Sequence, residues 1–249
     1  MEKSNQVFER YELKYVLNKE EYLEFKNELL KHMKVDKYGI STIQSVYFDT
    51  PDNKLISRSI DKPDFKEKIR LRSYGLSNDE KPCYLEIKRK ANGLVYKRRI
   101  AIDEAKAYKF INYHEDINNS QIERELKYFR NYYHNLRPAM LIIYERESFY
   151  KENSEVRVTF DFNPRYRTYD INLHTSLEGR PLNDNGEIYM EIKVLHNMPL
   201  WLTDILTKTK VKRGSISKYG EAYKREKGVL APVVKKGEQL YGKLVQFNI

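Results

Sequence analysis

The sequence is poor in the residues that mark several classes of protein. It has one cysteine, Cys83, and only 10 glycines and 8 prolines among 249 residues. A single cysteine excludes an intramolecular disulfide framework and a multi-cysteine zinc site, and it fits a reducing compartment. Low glycine and proline contents exclude collagen-like and linker sequence. No apolar run approaches the roughly 20 residues that cross a bilayer. Because the sequence also opens on polar residues, we expect a cytoplasmic protein without a signal peptide.

Positive charge is the feature that the sequence has in excess. Lysine and arginine number 46 against 36 acidic residues, which gives a net charge of +10. Residues 88–99 carry six basic groups and no acid, and residues 207–228 carry eight basic groups against two acids. This charge indicates an anionic partner, and by itself it leaves nucleic acid, a membrane surface and phosphate compounds open.

Hydrophobic periodicity predicts a mixed chain of strands and helices. Period-two alternation predicts strands over 7–17, 41–49, 65–74, 84–90, 94–102, 140–150, 156–162 and 188–195. Helical spacing and capping signals predict helices over 18–31, 103–112, 120–134, 198–206 and 217–227, with a short helix after 50–53. No linker interrupts the pattern. We therefore expect one domain over residues 1–228 and a C-terminal tail over 229–249, either docked or flexible.

The predicted strands share one unusual pattern, in which ionisable and apolar residues alternate. Lys68, Arg70 and Arg72 alternate with Ile69 and Leu71, for example. A sheet with one face in water would show this pattern. So would an α+β fold in which a closed antiparallel barrel has a charged lumen and is flanked by helices. The polar face is almost purely ionisable and rich in cations, which suits the barrel. Enclosed cations would need a polyanion, or a metal with phosphate, to neutralise them.

Five short motifs, taken in chain order, carry a family resemblance. They are Arg10-x-Glu12-x-Lys14, Arg70-x-Arg72, Glu86-Ile87-Lys88, Glu191-x-Lys193 and Ser217-Lys218-Tyr219. Together they resemble the polyphosphate polymerase domain of the vacuolar transporter chaperone (VTC) family, over about residues 6–226. That family is one of the triphosphate tunnel metalloenzymes. The resemblance implies a barrel whose lumen binds triphosphate or polyphosphate with Mn²⁺ or Mg²⁺. It also implies an enzyme that moves the terminal phosphoryl group of ATP onto a polyphosphate chain.

The resemblance also implies a role for individual residues. It assigns catalytic roles to Lys88, Arg70, Arg72 and Lys218. It assigns phosphate binding to Lys14, Arg10, Arg99, Lys97, Arg146, Arg157, Lys193, Ser217 and Tyr219. Glu191 would bind the metal, with Glu12 and Glu86 as secondary metal or structural candidates. Which of Lys97, Arg98 and Arg99 faces inwards stays open, although alternation pairs Lys97 with Arg99.

One departure from the related enzymes bears on the reaction. Other tunnel enzymes carry E-x-E-x-K on the first strand, whereas the first position here is Arg10. Fewer carboxylates and more cations favour the polymerase over a triphosphatase or a cyclase. The sequence also lacks the G-x-x-x-x-G-K-[ST] phosphate loop, so side chains would have to hold the phosphates.

Three alternatives remain open. The first is an inorganic triphosphatase of the same fold, and the second is a non-catalytic binder of polyphosphate or RNA. The third is a set of cross-strand ion pairs without function at positions such as Arg10, Glu12 and Lys14. No nucleic-acid partner is expected, because the strand cations alternate with aliphatic as much as with aromatic residues. The sequence leaves open a membrane-protein partner in trans and the oligomeric state.

Overall fold

Strands dominate the part of the chain that the structure describes. We describe the protein from a computed structural model, which covers residues 11–230 apart from positions 62, 79, 93, 184, 196 and 215. Arg10 and residues 231–249 of the predicted tail lie outside the described residues. The strands are β1 (Tyr11–Leu17), β2 (Lys34–Asp49), β3 (Phe65–Tyr74), β4 (Cys83–Ala91), β5 (Leu94–Ile102), β6 (Arg137–Tyr150), β7 (Arg157–Arg167), β8 (Arg180–Pro181), β9 (Ile188–Val194) and β10 (Lys212–Arg213). The helices are α1 (Lys19–Leu29), α2 (Lys54–Ile60), α3 (Glu104–Tyr113), α4 (Gln121–Tyr133), α5 (Leu200–Thr209) and α6 (Lys218–Glu226).

All ten strands belong to one antiparallel sheet, whose order is β10-β1-β9-β7-β6-β2-β3-β4-β5, with β8 paired to β7. In the described ranges no backbone pairing joins β5 to β10, so the sheet is open and the predicted closed barrel is not confirmed. The sheet nevertheless curls. The Lys88 Nζ atom of β4 lies 2.8 Å from the Glu12 Oε2 atom of β1, although five strands separate the two in the sheet. The far parts of the sheet therefore meet through side chains.

The start of α1 shows how local sequence sets an element. The Asn18 Oδ1 atom accepts from the Glu21 backbone N–H at 2.8 Å, and the Glu21 carboxylate accepts from the Asn18 N–H at 2.8 Å. This reciprocal capping box satisfies backbone donors that a helix N-terminus otherwise leaves unpaired. Tyr22, Phe25 and Leu29 then fall on one buried face of the helix. The predicted capping box is confirmed.

Helices cover the apolar face of the sheet in two places. Residues of α3 and α4 pack on the apolar positions of β3, β4 and β5 in one core cluster. Residues of α1 and α5 pack on those of β1, β7 and β9 in a second cluster. Because side chains alternate across a strand, the charged positions between these apolar residues point to the other face. We call this concave, charged side of the sheet the inner face.

A third apolar cluster lies on the inner face. It joins Ile142 and Tyr144 of β6 to Ile56 of α2 and to Tyr219 and Ala222 of α6. The helices α2 and α6 therefore fill part of the concave side and leave its charged part beside them. No helix in the described ranges is long and apolar enough to cross a membrane.

Several features of the sheet were not predicted, among them the extension of β7 to Arg167, the early start of β2 and the two shortest strands. Strand β2 begins at Lys34 rather than at 41, because a register shift between Val35 and Ile40 lets the ladder continue past Gly39, whose φ is +56°. A glycine tolerates such a positive φ without steric strain. The two-residue strands β8 and β10 are too short to show a period.

Candidate functional site: a basic inner face

Strands β3, β4 and β5 place predicted site residues side by side. Arg70 lies opposite Glu86, which lies opposite Arg99 on β5. Lys97 is two residues from Arg99 and therefore shares its face. Arg98 points outwards and pairs with Glu125 of α4 at 3.3 Å. The open question about the three cations after the hairpin thus has a geometric answer: Lys97 and Arg99 face inwards.

Glu86 is the charge partner at the centre of this row. Its side chain is 1% exposed, and its two carboxylate oxygens lie 2.7 Å from Arg70 and 2.9 Å from Lys97. Burial raises the pKa of Glu86, but the charges of Arg70, Arg72 and Lys97 outweigh burial and hold the pKa well below its ordinary value. The carboxylate is ionised and both oxygens face cations. This geometry argues against the predicted metal role and gives Glu86 a structural one.

In the described part of the chain, the neighbouring Arg72 makes its hydrogen bonds to neutral groups. Arg72 is 7% exposed, and it donates to the Ser45 hydroxyl and to the Tyr144 hydroxyl, both at 3.2 Å. Arg70 also donates to the Tyr47 hydroxyl at 3.2 Å. Burial raises the pKa of Tyr47, but Arg70 and its neighbouring cations outweigh burial and lower the pKa to about 8. The two hydroxyls accept from Arg72 without cancelling its charge, which acts at longer range on Glu86.

A buried carboxylate that the sequence analysis missed holds two of the predicted site residues. Asp161 of β7 accepts from Arg146 at 2.6 and 2.8 Å and from the Lys218 Nζ atom at 2.5 Å. The Lys218 ammonium also lies 4.6 Å from the centre of the Tyr144 ring and 5.0 Å from that of Tyr189. Lys218 is therefore anchored by one charge and two aromatic rings. These contacts bring β6, β7, β9 and α6 together.

Lys14, Lys193 and Glu191 lie on the same face of β1 and β9. The register places Lys14 opposite Glu191 and Glu12 opposite Lys193. The Glu191 oxygens are loosely paired, at 3.6 Å from Lys193 and 4.0 Å from Arg146. Burial raises the pKa of Glu191, but these cations with Lys88 and Lys14 hold it well below its ordinary value. Glu191 is thus an ionised carboxylate without a tight partner.

Glu191 is the predicted metal ligand that best fits a metal. The described residues contain no group of three or more Asp, Glu, His or Cys side chains that could hold a metal ion. Both carboxylate oxygens of Glu12 accept hydrogen bonds from the Lys88 ammonium, at 2.8 and 2.9 Å. Magnesium is commonly bound by one or two carboxylates together with substrate phosphates and water. The donor set therefore fits a divalent ion that arrives on phosphate, with Glu191 as its protein ligand.

The start of α6 inserts into the inner face. The Ser217 hydroxyl caps the helix by accepting from the Gly220 N–H at 3.2 Å, and it also accepts from the Lys68 ammonium at 3.0 Å. Lys14 donates to the Ile216 carbonyl at 2.9 Å. Two inner-face lysines thus donate to the segment that begins α6. Lys68 was not among the predicted site residues, although it alternates with two that were.

Tyr219 does not have the predicted phosphate contact available. Its hydroxyl is buried and donates to the Asp49 carboxylate at 3.0 Å, and its ring stacks on Tyr47 with 4.4 Å between ring centres. Asp49 also accepts from the backbone N–H groups of Leu55 and Ile56 at the start of α2. We correct the prediction on this ground, because Tyr219 ties α6 to α2.

Arg157 lies at the rim of the inner face. It is exposed and lies opposite Lys193, and its guanidinium is 5.5 Å from the centre of the Tyr150 ring. The two cations face each other across the ladder, which disfavours the pair unless an anion is near.

The balance of charge on the inner face favours an anion. Burial is the main cause that lowers the pKa of Lys68 to about 8; Tyr47 opposes it, and Lys14, Lys66 and Lys88 lower the pKa further. Desolvation by the concave face also lowers the pKa of Lys97 to about 8 against the raising effect of Glu86, although the Lys97 side chain is 40% exposed. Cations outnumber carboxylates among the described inner-face residues. On the strands the carboxylates are Glu12, Asp49, Glu86, Asp161 and Glu191, and the cations are Lys14, Lys66, Lys68, Arg70, Arg72, Lys88, Lys90, Lys97, Arg99, Arg146, Arg157 and Lys193; helix α6 adds Lys218 and Glu221.

A separate groove of about 720 Å³ opens on the outer side of the sheet. Glu67 lies in it and accepts from Arg89 at 2.8 Å and from the Tyr133 hydroxyl at 2.7 Å. The exposed rings of Tyr128 and Tyr132 form one wall. Because the buried, uncompensated cations lie on the inner face, we take that face and not this groove as the candidate site.

Comparisons with known proteins agree with this architecture. The sequence profile described as "VTC domain" matches residues 9–226. Among solved structures, the chain is similar to a candidate adenylate cyclase from Bacillus halodurans at 12% identity, with 84% of this chain and 95% of that chain covered and a TM-score of 0.54. It is also similar to a candidate adenylyl cyclase from Hippeastrum with a dominant triphosphatase activity, at 15% identity, with 90% and 98% covered and a TM-score of 0.53. No curated protein matches the sequence.

The two structural neighbours show the fold alone, since both identities are low. The profile match is of a different kind, because it spans most of the chain and includes every described residue that the five motifs contribute. The predicted resemblance is confirmed: the chain belongs to the VTC domain family and has the curled antiparallel fold of the triphosphate tunnel proteins.

Proposed function

We propose that the protein is a polyphosphate polymerase, which transfers the terminal phosphoryl group of ATP to a polyphosphate chain held against the inner face. One observation carries the proposal: separate strands bring more cations than carboxylates to one concave face, where Arg72 is buried and Lys68 and Arg70 are half-buried. Arg72 is nearly enclosed, and the groups that accept its hydrogen bonds among the described residues are hydroxyls. An anion with several negative oxygens would supply the charge that such a face lacks.

The reaction needs charge stabilisation more than covalent chemistry from the protein. A terminal oxygen of the polyphosphate chain attacks the γ-phosphorus of ATP, and a new P–O–P bond forms. The bond from the γ-phosphorus to the β,γ-bridging oxygen breaks, and ADP leaves with that oxygen. Charge on the phosphoryl oxygens is stabilised by preorganised donors. We assign this role to Arg70, Arg72, Lys88 and Lys218.

Arginine and lysine would bind the polyphosphate chain in different ways. The arginine fork can donate two parallel hydrogen bonds to a phosphate, whereas lysine offers a compact charge on a flexible stem. Lys218 is held by Asp161 at 2.5 Å and lies against two aromatic rings, and its flexible stem would let the ammonium turn towards a phosphate. Further phosphate contacts would come from Lys14, Lys97, Arg99 and Arg146.

A divalent metal fits this function. Glu191 would hold it, and the ion would neutralise phosphate charge when bound. Whether it is Mn²⁺ or Mg²⁺ stays a prediction. In the absence of a three-ligand cluster among the described residues, we expect metal affinity to be weak without phosphate and strong with it.

A matched pair of variants tests the proposal. Lys88 faces inwards and its neighbour Arg89 faces outwards on the same strand. With ATP and Mn²⁺, we expect Lys88→Ala to reduce polyphosphate formation by about a hundredfold, and Arg89→Ala to stay within about twofold of the parent. The product is measured as chains resolved on a gel. Absence of chains from the parent protein, or equal loss in both variants, would refute the proposal.

A second function has specific support. Three carboxylates, Glu12, Glu86 and Glu191, lie on the inner face, and the similar Hippeastrum protein has triphosphatase activity. An inorganic triphosphatase would release phosphate from tripolyphosphate when no ATP is present. The same preparation distinguishes the two functions, because a polymerase lengthens the chain and a triphosphatase shortens it.

Location and partners follow from the same proposal. ATP and polyphosphate would be the substrates, with a membrane protein that receives the product in trans as a further partner to test. We propose the cytoplasm as the location, supported by the single cysteine, which is free and buried.

A further inference from the structure

The groove on the outer side of the sheet has the size of a ligand site. Its volume of about 720 Å³ lies within the range of about 300 to 1,000 Å³ that is typical of small-molecule sites. Its walls come from α4, from the start of β3, from the end of β4 and from α2. The residues that line it do not include the inner-face cations. The groove is therefore a separate place in the fold.

Aromatic rings line this groove and are exposed to solvent. Tyr128 and Tyr132 of α4 are 67% and 56% exposed, and Phe65 at the start of β3 is 47% exposed. A helix brings residues i and i+4 to the same side. The rings of Tyr128 and Tyr132 lie nearly parallel, with 6.3 Å between their centres and 18° between their planes. Several neighbouring apolar rings left in water indicate an interaction site more strongly than a single ring does.

The floor of the groove is held in place by buried contacts. Tyr132 packs edge to face on Tyr133, with 5.0 Å between ring centres. Tyr133 is buried and donates from its hydroxyl to Glu67 at 2.7 Å, and the other oxygen of Glu67 accepts from Arg89 at 2.8 Å. A wall fixed in this way loses little conformational entropy when a ligand binds.

Both carboxylates of the groove already have cationic partners. Glu67 has Arg89, and Glu125 of α4 has Arg98 at 3.3 Å. These pairs neutralise the negative charge that the groove contributes.

Two exposed arginines of the groove have no carboxylate partner in the described part of the chain. Arg124 of α4 donates to the Asn119 carbonyl at 2.9 Å. Arg58 of α2 lies close to the Tyr133 hydroxyl: burial and Glu67 raise the pKa of Tyr133, and the charge of Arg58 opposes them. The groove therefore combines exposed rings with an excess of positive charge.

We propose that this groove binds a mononucleotide, with its base against the rings of Tyr128 and Tyr132 and its phosphates at Arg58 and Arg124. A nucleotide carries both a planar ring system and an anion. Aromatic side chains stack on any base, and the arginine fork donates two parallel hydrogen bonds to a phosphate. The site goes beyond the proposed function, because none of these four residues belongs to the inner face.

The groove suits one nucleotide better than other ligands. An inorganic phosphate would contact the arginines and leave the rings in water. An uncharged aromatic ligand would leave the two arginines without an anion. A single strand of nucleic acid is usually held by a longer row of cations that follows its backbone, whereas this groove offers two.

Calorimetry with ADP tests the site after tripolyphosphate has been added to the end point of its tight binding, so that the inner face is filled. The parent protein should then bind one ADP per chain. Tyr128→Ala/Tyr132→Ala should weaken this binding about tenfold through loss of stacking, and Tyr128→Phe/Tyr132→Phe should retain it within about twofold. Arg58→Ala/Arg124→Ala should also weaken it about tenfold and reduce its dependence on salt. Adenosine alone and pyrophosphate alone should each bind at least about tenfold more weakly than ADP.

Matched variants control for lost rings and lost charge elsewhere on the surface. Tyr113→Ala/Tyr169→Ala removes two exposed tyrosines that do not line the groove. Lys106→Ala/Lys109→Ala removes two exposed cations of α3. Both should leave ADP binding within about twofold of the parent. Melting temperatures of all variants confirm folding.

The outcomes separate this inference from the proposed function. Absence of ADP binding once the inner face is filled overturns the site, and so does equal affinity in the parent and in both groove variants. A dimer that Tyr128→Ala/Tyr132→Ala dissociates in sedimentation, without ADP binding, assigns the groove to contact between copies instead. Chain formation from ATP is assayed separately. A parent that binds ADP in the groove but makes no chains keeps this site and loses the proposed function.

Discussion

Lys68 lets the proposed function be tested through stability. Its ammonium is half-buried on the inner face, where it donates to the Ser217 hydroxyl and lies near Lys14, Lys66 and Lys88. Burial and these cations lower its pKa from 10.5 to about 8. Keeping the group charged at pH 7 therefore destabilises the ligand-free fold.

The magnitude follows from linkage between protonation and folding. The distance between the two pKa values corresponds to at most about 3 kcal/mol, at about 1.4 kcal/mol for each pH unit. Loss of the hydrogen bond to Ser217 offsets about 1 kcal/mol of this. We therefore expect Lys68→Met to raise the free energy of unfolding of the ligand-free protein by about 2 kcal/mol at pH 7, and to raise the melting temperature by several degrees.

The sign of the pH dependence makes this prediction specific. Between pH 8 and 10.5 the unfolded chain keeps the proton of Lys68 while the folded chain loses it, so the stability contributed by this group rises with pH. The advantage of Lys68→Met should therefore shrink over that range and vanish by about pH 10.5. Urea denaturation of both proteins at pH 7, 9 and 10.5 measures it, and tripolyphosphate affinity should fall in the variant.

A matched lysine controls for the loss of charge. Lys90 lies on the same face but is exposed, so Lys90→Met should leave stability within about 0.5 kcal/mol of the parent. The reasoning would be refuted by a Lys68→Met variant that is less stable than the parent at pH 7, or whose gain in unfolding free energy does not depend on pH. Either result would show that the charge of Lys68 does not destabilise the ligand-free fold.

Three further results are expected. Asp161→Asn removes the carboxylate that its two cationic partners share, so the ligand-free protein should lose about 3 kcal/mol in urea denaturation, and tripolyphosphate should restore part of it in a thermal-shift assay. Lys97→Ala should weaken tripolyphosphate binding by at least fivefold in calorimetry, while Arg98→Ala, which removes an outward cation, should change it less than about twofold. Asn18→Ala should cost about 1 kcal/mol of unfolding free energy through loss of the α1 cap, with no change in binding.

Much of the local architecture could be predicted because it is encoded in short stretches. Alternation of charged and apolar residues gave β3 its bounds, Phe65–Tyr74, and β5 its bounds, Leu94–Ile102. The side-chain hydrogen bonds of Asn18 and Glu21 set the start of α1 within four residues. Such signals depend on the period of one strand or on one turn of helix.

Features that depend on distant segments were harder to foresee. Whether the sheet is open or closed depends on whether its two edge strands, β5 and β10, pair with each other. The alternation of residues along a single strand carries no information about that pairing. The position of Tyr219 beside Ser217 and Lys218 predicts a phosphate ligand. In the structure its hydroxyl instead donates a hydrogen bond to Asp49, 170 residues away in the chain. A charged or hydroxyl side chain can bind many different partners in a fold, and the sequence does not indicate which distant partner it will contact.

The alternation of residues along β7 is sufficient to predict an inward position for Asp161. It lies four residues after Arg157 and therefore on the same face of the strand. The flanking phenylalanines Phe160 and Phe162 give the segment the apolar character of a core strand. A single acid between buried apolar residues, on a face that otherwise bears cations, indicates an inward ion pair.

The open edge at β5 has a consequence for association between copies of the protein. Within the described residues, β5 ends the sheet and its outer backbone groups have no strand beside them. Exposed edges invite a strand of another molecule to add, which is a route to aggregation. On β5 the run Lys97-Arg98-Arg99 occupies that edge. A second copy approaching in the same way would bring three more cations to the same place, so the inward Lys97 and Arg99 and the outward Arg98 together disfavour such pairing.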